Sequence, residues 1–186
     1  MPRPLRDAAA GHHHVVVGAT GPEMYYRSSD DRITWLRMFI RNLDRFGWSC
    51  VSFCELATHV HAIVETPDES LPIGMHRLNT MYGQYLNGVH GRKGALVRAR
   101  YWSAHITTNA QMLAAFSYVA LNPVRAHACA RPEEWPWSSF ATSCGLTDDF
   151  PFVDASIVCS LLEAGDEPAG ALLDLVGFGR KLPELS

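Results

Sequence analysis

Apolar positions along the chain switch between two spacings, and the switches mark the elements. His13 to Gly18 runs through three valines and stops at the turn signals Gly18 and Gly21-Pro22, the pattern of a β-branched strand. Ile33, Leu36, Ile40 and Leu43 then recur at steps of three and four, with Trp35, Phe39 and Phe46 widening the stripe. That spacing predicts a helix capped by Asp30-Asp31 and ended by Gly47. Residues 48–56 and 59–66 return to strand character, and only Ala57-Thr58 separates them, so they pair as an antiparallel hairpin. Helical spacing over 73–89, through Leu78, Tyr82, Tyr85, Leu86 and Val89, predicts a second helix closed by the basic loop Gly91-Arg92-Lys93-Gly94. RARYWSAHIT at 98–107 predicts another strand, and Asn109 caps a third helix over 110–121 that Asn122-Pro123 stops. The order β-α-β-β-α-β-α predicts an α+β fold, a ferredoxin-like, split-βαβ antiparallel sheet with helices on one face.

Length and charge refine this picture. With 186 residues, 47% of them hydrophobic, the chain has material for one core. It contains no run of eighteen apolar residues, and its start, MPRPLRDAAAG, has no apolar stretch of the signal-peptide kind. A soluble, cytoplasmic protein with no membrane partner is therefore expected. The five cysteines, Cys50, Cys54, Cys129, Cys144 and Cys159, contain no C-x-x-C pair, which predicts free thiols rather than a disulfide framework or zinc ribbon. The net charge of −3 is unevenly spread: residues 70–132 carry seven Lys and Arg and no acid, while residues 133–186 carry two against ten acids. A 63-residue stretch without a carboxylate suits a phosphate backbone. Within it Arg77, Arg92, Lys93, Arg98, Arg100 and Arg125 are candidate DNA contacts, and Tyr82, Tyr85, Tyr101 and Trp102 are candidate stacking partners for unpaired bases.

Candidate chemistry centres on His59-Val60-His61-Ala62-Ile63-Val64-Glu65. Alternate strand residues share a face, so His59, His61, Ile63 and Glu65 lie on one side and Val60, Ala62 and Val64 on the other. Two histidines at i and i+2 can hold one divalent ion. Tyr118 and Asn122 stand one turn apart on the third helix. They read in two ways: a nucleophilic tyrosine with a metal-binding amide oxygen, or a half-buried core aromatic followed by a cap before Pro123. His12 to His14 read as packing or DNA-contact residues of the first strand.

Taken together, His59-Val-His61, the helix end Tyr118-Val-Ala-Leu-Asn122-Pro123-Val-Arg125-Ala and Trp135-Pro-Trp137-Ser-Ser-Phe140 resemble the REP-associated tyrosine transposases, a branch of the single-tyrosine HUH insertion-sequence transposases. Pro2-Arg3-Pro-Leu-Arg6, Met75-His-Arg77-Leu-Asn79 and His90-Gly-Arg92 extend the resemblance, which covers about residues 1–145. It implies an HUH-type single-strand DNA domain over 1–145; the acidic extension over 146–186, beyond the resemblance, is expected to pack on it. It also implies Mg²⁺ or Mn²⁺ held by His59, His61 and Asn122. Tyr118 becomes the nucleophile that leaves a 5′-phosphotyrosine and a free 3′-hydroxyl, with short palindromic DNA hairpins as substrate. Arg3 and Arg6 join the DNA-contact set, and a homodimer is one assembly the family uses.

The chain departs from the family at two places. Ala57-Thr58 replaces the usual Pro-Asn before the first histidine, although the Thr58 hydroxyl keeps a local hydrogen-bonding group there. Residues 94–100, GALVRAR, lack a histidine and a glutamine that relatives carry. Two other functions stay open at this point: a hairpin-binding protein that does not cleave, and a metal-dependent phosphoesterase that activates water. The acidic tail reads equally as an interface, a DNA mimic or packing.

Overall fold

The computed structural model describes residues 9–19, 24–92, 94, 101–165 and 167–178. Its main elements are β1 (Gly11–Gly18), α1 (Ser29–Phe46), β2 (Ser49–Glu55), β3 (His59–Thr66), α2 (Leu71–Val89), β4 (Trp102–Ile106) and α3 (Asn109–Arg125). The four strands form one antiparallel sheet in the order β2-β3-β1-β4, the arrangement expected of a split βαβ. The β2–β3 hairpin turns at Ala57-Thr58, with Leu56 N–H donating to the His59 carbonyl across it. A register shift between Cys50 and Ser52 interrupts the β2–β3 ladder.

The alternation in β3 decides what each face of the sheet buries. Val60, Ala62 and Val64, with Val15 and Val17 of β1, face α1 and α2 and close a core around Trp35, Phe39, Leu78 and Tyr82. Helices α1 and α2 thus share one face, as the sequence predicts. Ile63 points to the other face and meets Phe116, Val119 and Ala120 of α3 in a second core. That second face is not left open. Beyond α3 it is covered by α4 (Phe140–Ser143), α5 (Ser156–Leu161) and α6 (Pro168–Leu175), which supply Phe140, Val158 and Leu172 to the same cluster. The acidic segment also reaches the first core, where Phe150 meets the Phe53 ring at 4.9 Å and Phe152 stacks on it at 5.7 Å.

Three local assignments differ from the sequence pattern. Ser28, not Asp30-Asp31, caps α1; its hydroxyl accepts from Asp31 N–H while the Asp31 carboxylate accepts from Ser28 N–H, a reciprocal capping box. Asp31 is fully buried and also accepts from Tyr85 Oη and pairs with His90 of the α2 end. Burial alone would raise its carboxyl, but these hydrogen bonds outweigh it and hold it below the ordinary value. Thr108 rather than Asn109 caps α3, through a matching box with Gln111. Finally, α3 does not stop at Asn122. Pro123 removes one backbone donor, yet the Ala126 N–H still donates to the Asn122 carbonyl, so the last turn closes and Arg125 belongs to the helix.

Trp135-Pro136-Trp137 acts as an anchor. Trp135 Nε1 donates to the Glu55 carbonyl at 2.9 Å, and Glu55 N–H donates to the Trp137 carbonyl at 2.8 Å. Both indoles lie against the Arg32 guanidinium, at 5.8 and 5.3 Å, with Tyr26 at 4.7 Å. All five cysteines are free thiols, as expected.

Candidate active site

Strand order brings the chemistry together. Because β1 lies beside β3, His14 pairs with Ile63 across the ladder, and its side chain shares the α3 face with His61. His14 Nε2 and His61 Nδ1 are 3.0 Å apart in a buried hydrogen bond. Their rings are 5.2 Å apart, and the His59 ring meets His61 in a T-shaped contact at 4.9 Å. His59 Nδ1 is in turn hydrogen-bonded to Thr58 Oγ1 at 2.8 Å, so the threonine at the unusual position keeps the bonding role expected of it. Each of the two β3 histidines therefore has its Nδ1 engaged by a neighbour and its Nε2 left for another partner.

Helix α3 supplies the rest. Tyr118 is 43% exposed, with its ring 5.3 Å from His61 and 5.8 Å from His14. Tyr118 is thus half-buried and belongs to neither of the two cores. Asn122, one turn on, is buried and donates from Nδ2 to the Tyr118 carbonyl at 2.9 Å. The amide nitrogen is thus committed to the helix, and Oδ1 is the oxygen available to a hard cation. Because the helix continues past Pro123, Arg125 stands on the same face two turns from Tyr118, and its guanidinium sits 5.0 Å over the phenol ring.

His14, Val16, His61, Trp102 and Tyr118 line one open pocket of about 530 Å³. Burial pushes the His14 imidazole down to about 4. Burial, reinforced by His14 and His59 beside it, pushes His61 down to about 3. Burial also lowers His59. All three rings are neutral near pH 7. With His61 Nδ1–H donating to the His14 Nε2 lone pair, His61 Nε2 keeps a lone pair for a cation, as His59 Nε2 does with its Nδ1 held by Thr58, while His14 serves as the acceptor. Among the described residues, no three His, Cys, Asp or Glu side chains form a metal cage. A site built on these two imidazoles would need a third protein ligand of different chemistry.

Other expected contacts fall elsewhere. Arg77 is on α2, across the sheet from Tyr118, with Nη1 against Met81 Sδ. Arg92 follows the end of α2. Arg3, Arg6, Lys93, Arg98 and Arg100 lie outside the described residues. Of the four candidate stacking rings, Tyr82 and Tyr101 are buried, and Tyr85 is tied to Asp31. Only Trp102 is presented, at 53% exposure. Sequence spacing gave no signal for His14, since its partnership with His61 spans 47 residues and depends on strand order.

No helix among the described residues is long and apolar enough to cross a membrane. No family model matches the chain, and no curated protein sequence does. Among solved structures, the fold matches that of a REP-associated tyrosine transposase bound to a REP hairpin, with a TM-score of 0.66 and 16% identity. The match covers 83% of this chain and 98% of that one. At this identity the likeness is one of fold.

Proposed function

We propose that this chain is a metal-dependent, single-strand DNA nicking and joining enzyme of the REP-associated tyrosine transposase type, acting on hairpin DNA through Tyr118. The observation that carries the reading is the placement of the exposed Tyr118 ring 5.3 Å from His61, which in turn meets His59, with the Nδ1 of each of these two histidines engaged by a neighbour. The fold likeness to a hairpin-bound transposase adds to it.

His59, His61 and Asn122 would hold Mg²⁺ or Mn²⁺, whose charge, when bound, polarises a phosphodiester and makes attack by a neutral-pH phenol feasible. The chain's own residues do the rest. Tyr118 Oη forms a bond to phosphorus, the bond from phosphorus to the 3′ oxygen breaks, the phenol proton passes to solvent and the departing 3′ oxygen takes one up. The number of phosphoester bonds is unchanged, so the strand can be rejoined from the 5′-phosphotyrosine without ATP. Arg125, whose guanidinium lies over the Tyr118 ring, would pair with the phosphate beside it. His61 and Tyr118 meet within one chain, and the reading takes the tyrosine and the histidines from the same copy.

The test is incubation with labelled single-stranded hairpin oligonucleotides from repeats flanking the gene, with and without Mn²⁺, resolved on a denaturing gel. A metal-dependent covalent adduct with the wild type and none with Tyr118→Phe is expected. An undiminished adduct in Tyr118→Phe overturns the assignment. Tight hairpin binding with no adduct in any metal makes the protein a hairpin-binding module instead.

A further inference from the structure

We propose that the pocket between β4 and α3 is a subsite for one unpaired nucleobase of the DNA, stacked on the Trp102 indole next to the phosphate that Tyr118 attacks. The inference rests on the proposed single-strand DNA chemistry and adds the group that positions the strand.

The pocket is built for a flat apolar ring. Its floor is the sheet, where His14 and Val16 of β1 and His61 of β3 point towards α3. Its walls are Trp102, which pairs with Val16 on the edge strand β4, and Tyr118 of α3. His14 meets the Trp102 ring in a T-shaped contact at 5.3 Å, so the indole is held at its inner side while more than half of it stays open. This is unusual within the chain: Trp35 and Trp48 are buried at 1% and 5%, and Trp135 and Trp137 are taken up around Arg32. An indole left open beside an imidazole and a phenol offers aromatic faces, which suit the π-face of any base.

Charge complementarity selects a nucleotide over other flat ligands. Trp102 and Tyr118 both belong to the 63-residue stretch that carries seven basic residues and no acid. The exposed Arg125 guanidinium lies 5.0 Å over the Tyr118 ring that walls the pocket. A ligand with an apolar ring and an adjoining anion meets both features, and in a strand threaded to Tyr118 the nucleoside next to the reacting phosphate has that composition. The pocket volume of about 530 Å³ falls in the roughly 300–1,000 Å³ range of pockets that enclose small ligands. Stacking is tolerant of base identity, so the subsite sets the position of the strand more than its sequence.

The probe is a DNA hairpin with short single-stranded extensions carrying 2-aminopurine at one extension position at a time, held in EDTA so that it stays intact. A blunt hairpin of the same stem is the control. With the wild type, fluorescence is expected to be quenched at one extension position, less so with Trp102→Phe and not with Trp102→Ala. Affinity of Trp102→Ala for the extended hairpin should fall about 5- to 100-fold, the loss expected for one base-stacking contact, while the blunt hairpin binds as before. Trp102→Phe retains a ring and should recover much of the affinity; it also guards against a folding defect in the alanine variant. Unchanged affinity of Trp102→Ala for the extended hairpin overturns the proposal, as does wild-type binding with no quenched position. A dimer in the wild type that dissociates in Trp102→Ala, read by sedimentation with DNA affinity unchanged, gives the surface to a second copy of the chain instead. If the wild type still forms the Tyr118 adduct in these cases, only the subsite is lost; if it binds neither hairpin, the proposed function falls with it.

Discussion

Replacing Glu55 by glutamine should change how the stability of the protein depends on pH. The Glu55 side chain is fully buried with Arg32 Nη1 at 3.8 Å, and Arg32 and the Tyr26 hydroxyl are the groups that favour its ionised form. Arg32 is satisfied in other ways. It donates to the Glu55 backbone carbonyl at 3.0 Å and lies against Tyr26, Trp137 and Trp135. Burial prevails over the pull of Arg32 and the hydrogen bond of Tyr26 and pushes the Glu55 carboxyl from its ordinary 4.5 up to about 8. Between those values the native state holds a proton that the unfolded chain has released, so stability falls as pH rises, by about 1.4 kcal/mol per pH unit. From about pH 5.5 to about pH 7.5 that amounts to about 3 kcal/mol.

His14 and His61 work in the opposite direction. Their folded values, about 4 and about 3, lie below the ordinary 6.5. Below that value the unfolded chain binds protons that the native state does not, so their contribution to stability improves as pH rises towards it. The wild-type profile sums both effects, and the difference between wild type and Glu55→Gln isolates the carboxyl. Urea unfolding followed by circular dichroism at the two pH values measures it. The difference should shift in favour of the glutamine variant by about 3 kcal/mol at the higher pH. A difference that is the same at both would refute the reasoning, because Glu55 would then be ionised throughout as a buried ion pair with Arg32.

Three further outcomes follow from named contacts. His14→Phe keeps a ring in place but removes the bond to His61 Nδ1; Mn²⁺ affinity measured by calorimetry should drop about 10- to 100-fold, with His14→Gln less affected, and unchanged affinity in the phenylalanine variant would count against His14 orienting His61. Arg125→Ala should weaken hairpin binding for all sequences alike and reduce the slope of log affinity against log salt by about 1, checked by titration at several salt concentrations. At Gly18 a Cβ would stand 2.8 Å from His59 Cβ and 2.9 Å from the Thr58 carbonyl oxygen. Gly18→Ala should therefore displace the first histidine, costing about 1–3 kcal/mol in thermal unfolding and slowing adduct formation more than Ala substitution at a remote glycine.

What the sequence made legible was periodic or local. The i, i+2 alternation of β3 reports both its buried face and the shared side of His59 and His61, because a strand repeats every two residues whatever surrounds it. The i, i+4 relation of Tyr118 and Asn122 is legible for the same reason. What escaped depends on tertiary neighbours. His14 joins the site only because β1 inserts between β3 and β4. Nothing local in the sequence links His90 to Asp31, with which it pairs across 59 residues. Arg125 joins Tyr118 because the closing turn of α3 tolerates Pro123, where the local rule predicts a stop. Cap positions shifted because Ser28 and Thr108 each have a reciprocal partner three residues on, a pair that outranks a lone acidic or amide candidate nearby.

The central claim is that Tyr118 carries the DNA strand, and peptide mapping of the adduct tests it most directly. Wild-type protein is incubated with a hairpin oligonucleotide and Mn²⁺, the covalent species is digested with nuclease and trypsin, and the modified peptide is sequenced by tandem mass spectrometry. The account predicts a nucleotide joined through phosphate to Tyr118 within the peptide spanning residues 101–125, with Tyr101 in that peptide unmodified. A nucleotide on Tyr101 or on any other residue would contradict it.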